Sequence, residues 1–152
     1  MSNHAGRIRV KAMLLALNED RTTHAVSVNM PSDENPEGFH RLIGGGVEFG
    51  ETHEATIRRE IDEELSATIH DLEYVGALEN FFSMSGEPGH EIVFVYTGRL
   101  DPAPAAEGAT LTESDGSIVP VVWRPVDDAG EALPLYPAGV DSLLRQHLGI
   151  TA

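Results

Sequence analysis

Between Gly44 and Ala67 the chain reads GGGVEFGETHEATIRREIDEELSA, a glycine-rich turn that runs into an amphipathic helix. Thr52 is placed to cap that helix, Glu54 falls in its first turn, and Ile57, Ile61 and Leu65 recur at four-residue steps. At about 100° per residue, Glu60, Glu63 and Glu64 share a second face beside the apolar one. Carboxylates spaced i, i+3 and i+4 repel by a few tenths of a kcal/mol per pair, so stability alone would select against them. A divalent cation turns that repulsion into a binding site. With oxygen ligands only and no cysteine in the chain, Mg²⁺ or Mn²⁺ is the expected ion rather than zinc. Taken alone, an acidic helix face is more often just solvated surface.

The spacing decides between the two. Gly45, five residues, Glu51, seven residues, then Arg59-Glu60-Ile61-Asp62-Glu63-Glu64 resembles the signature box of the Nudix hydrolases, here 45–67. Ser66 departs from the box, which has glycine at that position, and Ala67 is small for the aliphatic residue that closes it. Both departures concern the end of the helix, and neither removes a carboxylate.

The resemblance implies an α/β fold, the Nudix α/β/α sandwich with a mixed central sheet. It also implies a metal-dependent pyrophosphohydrolase that cleaves a nucleoside diphosphate linked to X by water attack on phosphorus. Position by position, Glu63 and Glu64 correspond to the principal metal ligands and Glu60 to a further ligand or the general base. The Gly44 carbonyl corresponds to a backbone ligand. Arg59 is expected to pair with a box glutamate, and Glu51 to brace the loop on the helix. Family members often add an acidic residue from a loop before a late strand; here that loop is 110–117, a candidate lid whose carboxylates are Glu113 and Asp115. The rival reading is a non-catalytic nucleotide-binding sensor on the same fold. Retention of all the box glutamates favours catalysis.

Glycines before a helix let backbone approach a phosphate closely, which makes Gly45 and Gly46 candidate substrate contacts, with Arg41 just upstream. Family subgroups differ downstream of the box, where a proline or a tyrosine marks two of them. FFSMS at 81–85 supplies neither, which leaves nucleoside triphosphates, oxidised ones included, favoured by elimination.

A net charge of −15 speaks against long nucleic acid or an anionic membrane as partner. The expected partner is a small nucleotide derivative, and a homodimer is left open. Composition is that of a globular protein, 41% hydrophobic and 23% charged. The length fits one domain over 1–152, with 1–6 frayed. Absence of cysteine accords with the cytoplasm.

Strands are expected at 7–17, 25–29, 72–84, 90–100 and 118–126, with a brief extended piece at 39–43. Pro120 should mark an edge or bulge. SGEPG at 85–89 reads as a turn, 127–133 as a helical turn, and 138–148 as a final amphipathic helix stopped by Gly149. Phe81, Phe82 and Trp123 are expected to pack in the core, and His90 and Glu91 to be structural.

Overall fold

Alternation along one strand sets the layers. In the computed structural model, which describes residues 6–150, β1 spans Ile8–Leu17. Ala12, Leu14 and Ala16 join a core cluster with Ile57 and Ile61 of helix α1 (His53–Leu65). Met13, Leu15 and Leu17 join a second cluster with Val140 and Leu144 of helix α2 (Val140–Leu148). Successive side chains point to opposite faces of a sheet, so β1 is apolar on both and lies between two helical layers. The α/β/α sandwich is borne out.

Among the described residues the sheet is nine-stranded and mixed. β1 pairs antiparallel with β2 (Thr23–Asn29) and β4 (Ile43–Gly46), and parallel with β6 (Glu87–Asp101). β6 also pairs antiparallel with β5 (Thr68–Met84), so it is a central strand, as its apolar run suggests. β3 (Phe39–Arg41) lies on β2, and β8 (Ile118–Pro125) pairs with β2 and with β7 (Ala109–Thr112). Pro120 falls where β8 faces β7, beyond its pairing with β2, in keeping with an edge position.

Some expectations need correction. The turn at 85–89 shrinks to Ser85 and Gly86, both at positive φ (51° and 81°), so β5 and β6 form a hairpin that includes Pro88 and Gly89. β7 and the two-residue β9 (Leu135–Tyr136) were not expected as strands. Residues 127–133 form turns rather than a helix, because Asp128 and Gly130 sit at φ 59° and 74°. Phe81 is 68% exposed and stacks on His90 instead of entering the core. The expected fraying at 1–6 lies outside the described residues apart from Gly6.

Helix α1 is capped at both ends. Thr52 accepts from the Ala55 amide at the start. At the other end Ser66 takes the left-handed conformation, φ 51° and ψ 44°, and its N–H reaches the Asp62 carbonyl. A side chain there costs roughly 1 kcal/mol that glycine avoids. Ser66→Gly is therefore expected to raise the melting temperature modestly. A fall would show that the serine hydroxyl makes a contact the fold depends on.

Beneath β2, β8 and β3 lies a buried polar group. Arg124 donates to His40 and to the Leu133 carbonyl and pairs with Asp128, which also holds Arg145. His24 is enclosed beside it with no partner for Nδ1. Burial, then the Arg124 charge, pulls the His24 imidazole from 6.5 down to about 4. The unfolded chain thus takes up this proton first as pH falls, and stability drains away between pH 6.5 and 4. The loss is about 3 kcal/mol when complete. Melting temperatures across that window should fall less steeply for His24→Gln than for the natural protein.

Candidate active site

The turn before α1 and the helix itself are fastened by one arginine. Arg59 Nε donates to Glu51 Oε2 at 2.7 Å and Nη2 to Glu51 Oε1 at 2.9 Å. Nη2 also reaches the Gly46 carbonyl at 3.2 Å, and Nη1 reaches Glu60 Oε1 at 2.8 Å and Glu63 Oε2 at 3.3 Å. Glu51 in turn accepts from Thr56 Oγ1 and the Glu48 amide. These bonds, those of Arg59 above all, hold the Glu51 carboxyl down at about 2. The loop between β4 and α1 is thereby tied to the helix, and two of the box glutamates are drawn toward the same cation.

Gly44 and Gly45 have separate reasons to be glycine. A Cβ on Gly44 (φ 158°) would overlap the Ala12 carbonyl and lie 2.8 Å from Met13 Cα, in the middle of the β1–β4 pairing. A Cβ on Gly45 would overlap the Glu60 carboxylate, which lies directly against the Gly45 backbone. The close approach anticipated for a metal or phosphate is thus occupied by a glutamate.

Glu64 differs from its neighbours. Its Oε2 is buried with no hydrogen-bond partner. Burial, then the charges of Glu113 and Glu60, pushes its carboxyl up to about 8, against a smaller opposing pull from Arg41. Glu63, by contrast, has its side chain 55% exposed. Among the described residues no three carboxylate or imidazole groups converge as a finished metal cage. The donor set nonetheless suits a hard divalent cation: oxygen ligands only, one of them orphaned and enclosed among like charges. A ligand that rotates Glu60 and Glu63 away from Arg59 would complete the set.

Glu113 comes to this face from another direction. β7 lies against α1, and Glu113 follows it in a turn closed by Glu113 N–H to the Ser117 carbonyl and Gly116 N–H to the Glu113 carbonyl. The expected loop over 110–117 is therefore shorter, since Thr110 to Thr112 belong to β7. Asp115 is spent inside the turn, accepting from the Ser117 amide and hydroxyl.

A cavity of about 390 Å³ is lined in part by Arg41. Phe39 and Tyr136, edge to face at 5.2 Å, form one wall, and the β5–β6 hairpin with Phe81 and Phe82 forms another. The loop between β2 and β3 closes the rim, where the Glu34 carboxylate accepts from the Ser85 and Gly86 amides. The floor is polar: Lys11, Glu91 and Asn80. Glu91 is buried, as a structural role predicts, yet it also faces a cavity. The sequence reading missed this pocket. Its available signal was Lys11 and Glu91, charged residues inside two otherwise apolar strands.

The sequence model of the NUDIX domain family matches residues 7–146. The chain belongs to that family. The NAD-capped RNA hydrolase NudC of Mycobacterium tuberculosis is 27% identical over 141 residues, covering 88% of this chain and 38% of that protein. The chain thus spans well under half the length of that relative. A MutT NUDIX hydrolase from Burkholderia pseudomallei superposes with a TM-score of 0.65 at 21% identity, over 92% of this chain and 98% of its own. An ADP compounds hydrolase superposes with a TM-score of 0.64 at 17% identity, over 95% and 75%. Among the described residues no helix is long and apolar enough to cross a membrane.

Proposed function

We propose that the chain is a divalent-metal-dependent pyrophosphohydrolase of small nucleoside diphosphate derivatives, nucleoside triphosphates included. The observation that carries this is the buried, unpartnered Glu64 oxygen on a face shared with Glu60 and Glu63. A group left so is costly unless something binds it. Glu60, Glu63, Glu64 and the Gly44 carbonyl would hold Mg²⁺ or Mn²⁺, which supplies charge neutralisation on the pyrophosphate and acidifies water. The remaining work falls to the chain. Arg41, between the cavity and Glu64, binds phosphate oxygens while the cavity takes the nucleoside. Once Glu60 turns toward the metal, the Gly45 and Gly46 backbone is open to the phosphates. Arg59 holds the glutamates in orientation, and the carboxylates accept the proton of the water whose oxygen attacks phosphorus as the bridging P–O bond breaks. Glu113 adds a carboxylate from the turn after β7.

The test is a panel of nucleoside triphosphates, nucleoside diphosphate sugars and dinucleotides with Mg²⁺, read by phosphate release after a coupling pyrophosphatase or phosphatase. Metal-dependent release of a nucleoside monophosphate is expected. Binding without turnover across the panel would favour the sensor instead. Within the active enzyme, Glu113→Gln should lower kcat tenfold or more with little change in melting temperature. Asp115→Asn, whose carboxylate serves only its own turn, should leave kcat near wild type.

A further inference from the structure

The floor of the cavity contains an ordered array that the hydrolytic chemistry does not use. Lys11 Nζ lies 3.0 Å from Glu91 Oε2, and Asn80 Nδ2 donates to Glu91 Oε1 at 3.2 Å. The three groups therefore stand in the order Lys11, Glu91, Asn80, and they are 9%, 4% and 6% exposed. Two residues further along the same strands, on the same face, Met13 and Val93 are core. An apolar floor was available to this fold.

The array is also incomplete. Asn80 Oδ1 is buried with no partner. The ammonium has protons, and the carboxylate lone pairs, beyond those used between them. A buried polar network left half satisfied is worse for stability than apolar packing. A ligand that completes it removes the penalty and is selected by its hydrogen-bonding edge.

In order, the floor offers a donor, an acceptor and a second acceptor. The matching ligand is flat, since the aromatic side chains of Phe39, Phe82 and Tyr136 also line the cavity. Its edge reads acceptor, donor, donor. Guanine presents that sequence as O6, N1–H and the N2 amino group. Adenine would set an amino group against the Lys11 ammonium and a ring nitrogen lone pair against the Glu91 carboxylate. Hypoxanthine keeps the first two matches and leaves Asn80 Oδ1 unanswered.

We propose that Lys11, Glu91 and Asn80 select a 6-oxo-2-aminopurine, so that this chain acts on guanine nucleotides in preference to adenine nucleotides. The inference rests on the cavity being the place of the nucleoside. It is tested by calorimetric titration of the full chain with GMP, IMP and AMP, without metal. GMP is expected to bind about tenfold more tightly than IMP, the order of effect of answering a buried acceptor that IMP leaves unsatisfied, and AMP to bind weakest. In Asn80→Ala the GMP and IMP affinities should converge while IMP binding persists. Equal affinity for GMP and IMP in the natural protein, AMP as the tightest ligand, or no binding of any of the three would overturn the proposal. The comparison among ligands needs no variant, so a misfolded Asn80→Ala leaves the test intact. Turnover with an adenine preference would remove guanine selection and leave the hydrolase standing. Selective GMP binding without turnover of any nucleotide would do the reverse.

Discussion

Glu64→Gln is expected to lower kcat at least a hundredfold and to leave the protein folded, with a melting temperature in EDTA equal to or above that of the natural chain. The carboxylate sits enclosed beside Glu60 and Glu113, with one oxygen lacking any partner. Its charge therefore opposes the metal-free fold. An amide keeps the shape, removes the repulsion, and is a far poorer ligand for a hard cation. The same variant separates metal binding from turnover. Mg²⁺ or Mn²⁺ should stabilise the natural protein by mass action, about 2.7 kcal/mol at a hundred times Kd, and should stabilise Glu64→Gln much less. Full activity in the variant, or identical melting of the natural protein with metal and with EDTA, would sink the assignment of this face as the metal site.

The adjacent glycines should fail in opposite ways. Gly44→Ala places a methyl group into the Ala12 carbonyl and close to Met13 Cα, and both are backbone of the central strand. Neither can move without opening the β1–β4 pairing. The expected cost is about 3 kcal/mol or more, at the upper end of overpacking, read as a large drop in denaturation midpoint. The nearest atoms to the new methyl in Gly45→Ala are those of the Glu60 carboxylate, the far end of a flexible side chain. That variant should fold with near-normal stability and lose activity, because Glu60 is displaced from the loop. Equal stability losses in the two would mean that the Glu60 carboxylate is as rigidly held as the β1 backbone.

These predictions differ in how far the sequence alone could have reached them. The carboxylate face of α1 and its Thr52 cap were legible because they depend on helical periodicity and local spacing, which one strip of chain fixes, whereas the pairing of Arg59 with box glutamates was implied by the resemblance to the Nudix box. At Ser66 the sequence left the manner of the helix end open, since serine replaces the glycine that favours the left-handed conformation the structure shows. The two-faced burial of β1 could be inferred from an unbroken apolar run. What sequence could not supply was every relation between distant strands. Lys11, Asn80 and Glu91 lie on β1, β5 and β6 and meet only because β6 pairs with both others. Phe81 is apolar and reads as core, yet the two-residue turn at Ser85 and Gly86 extends its hairpin to the cavity mouth and leaves it exposed. Between Glu113 and Asp115 the sequence offered only side-chain length. The turn decided, by consuming Asp115 on Ser117 and leaving Glu113 near enough to act on Glu64. Local hydrogen bonding and periodicity are written into consecutive residues. Register between strands is set by the total burial of all of them together, so a pocket assembled from several strands exists only once the sheet has formed.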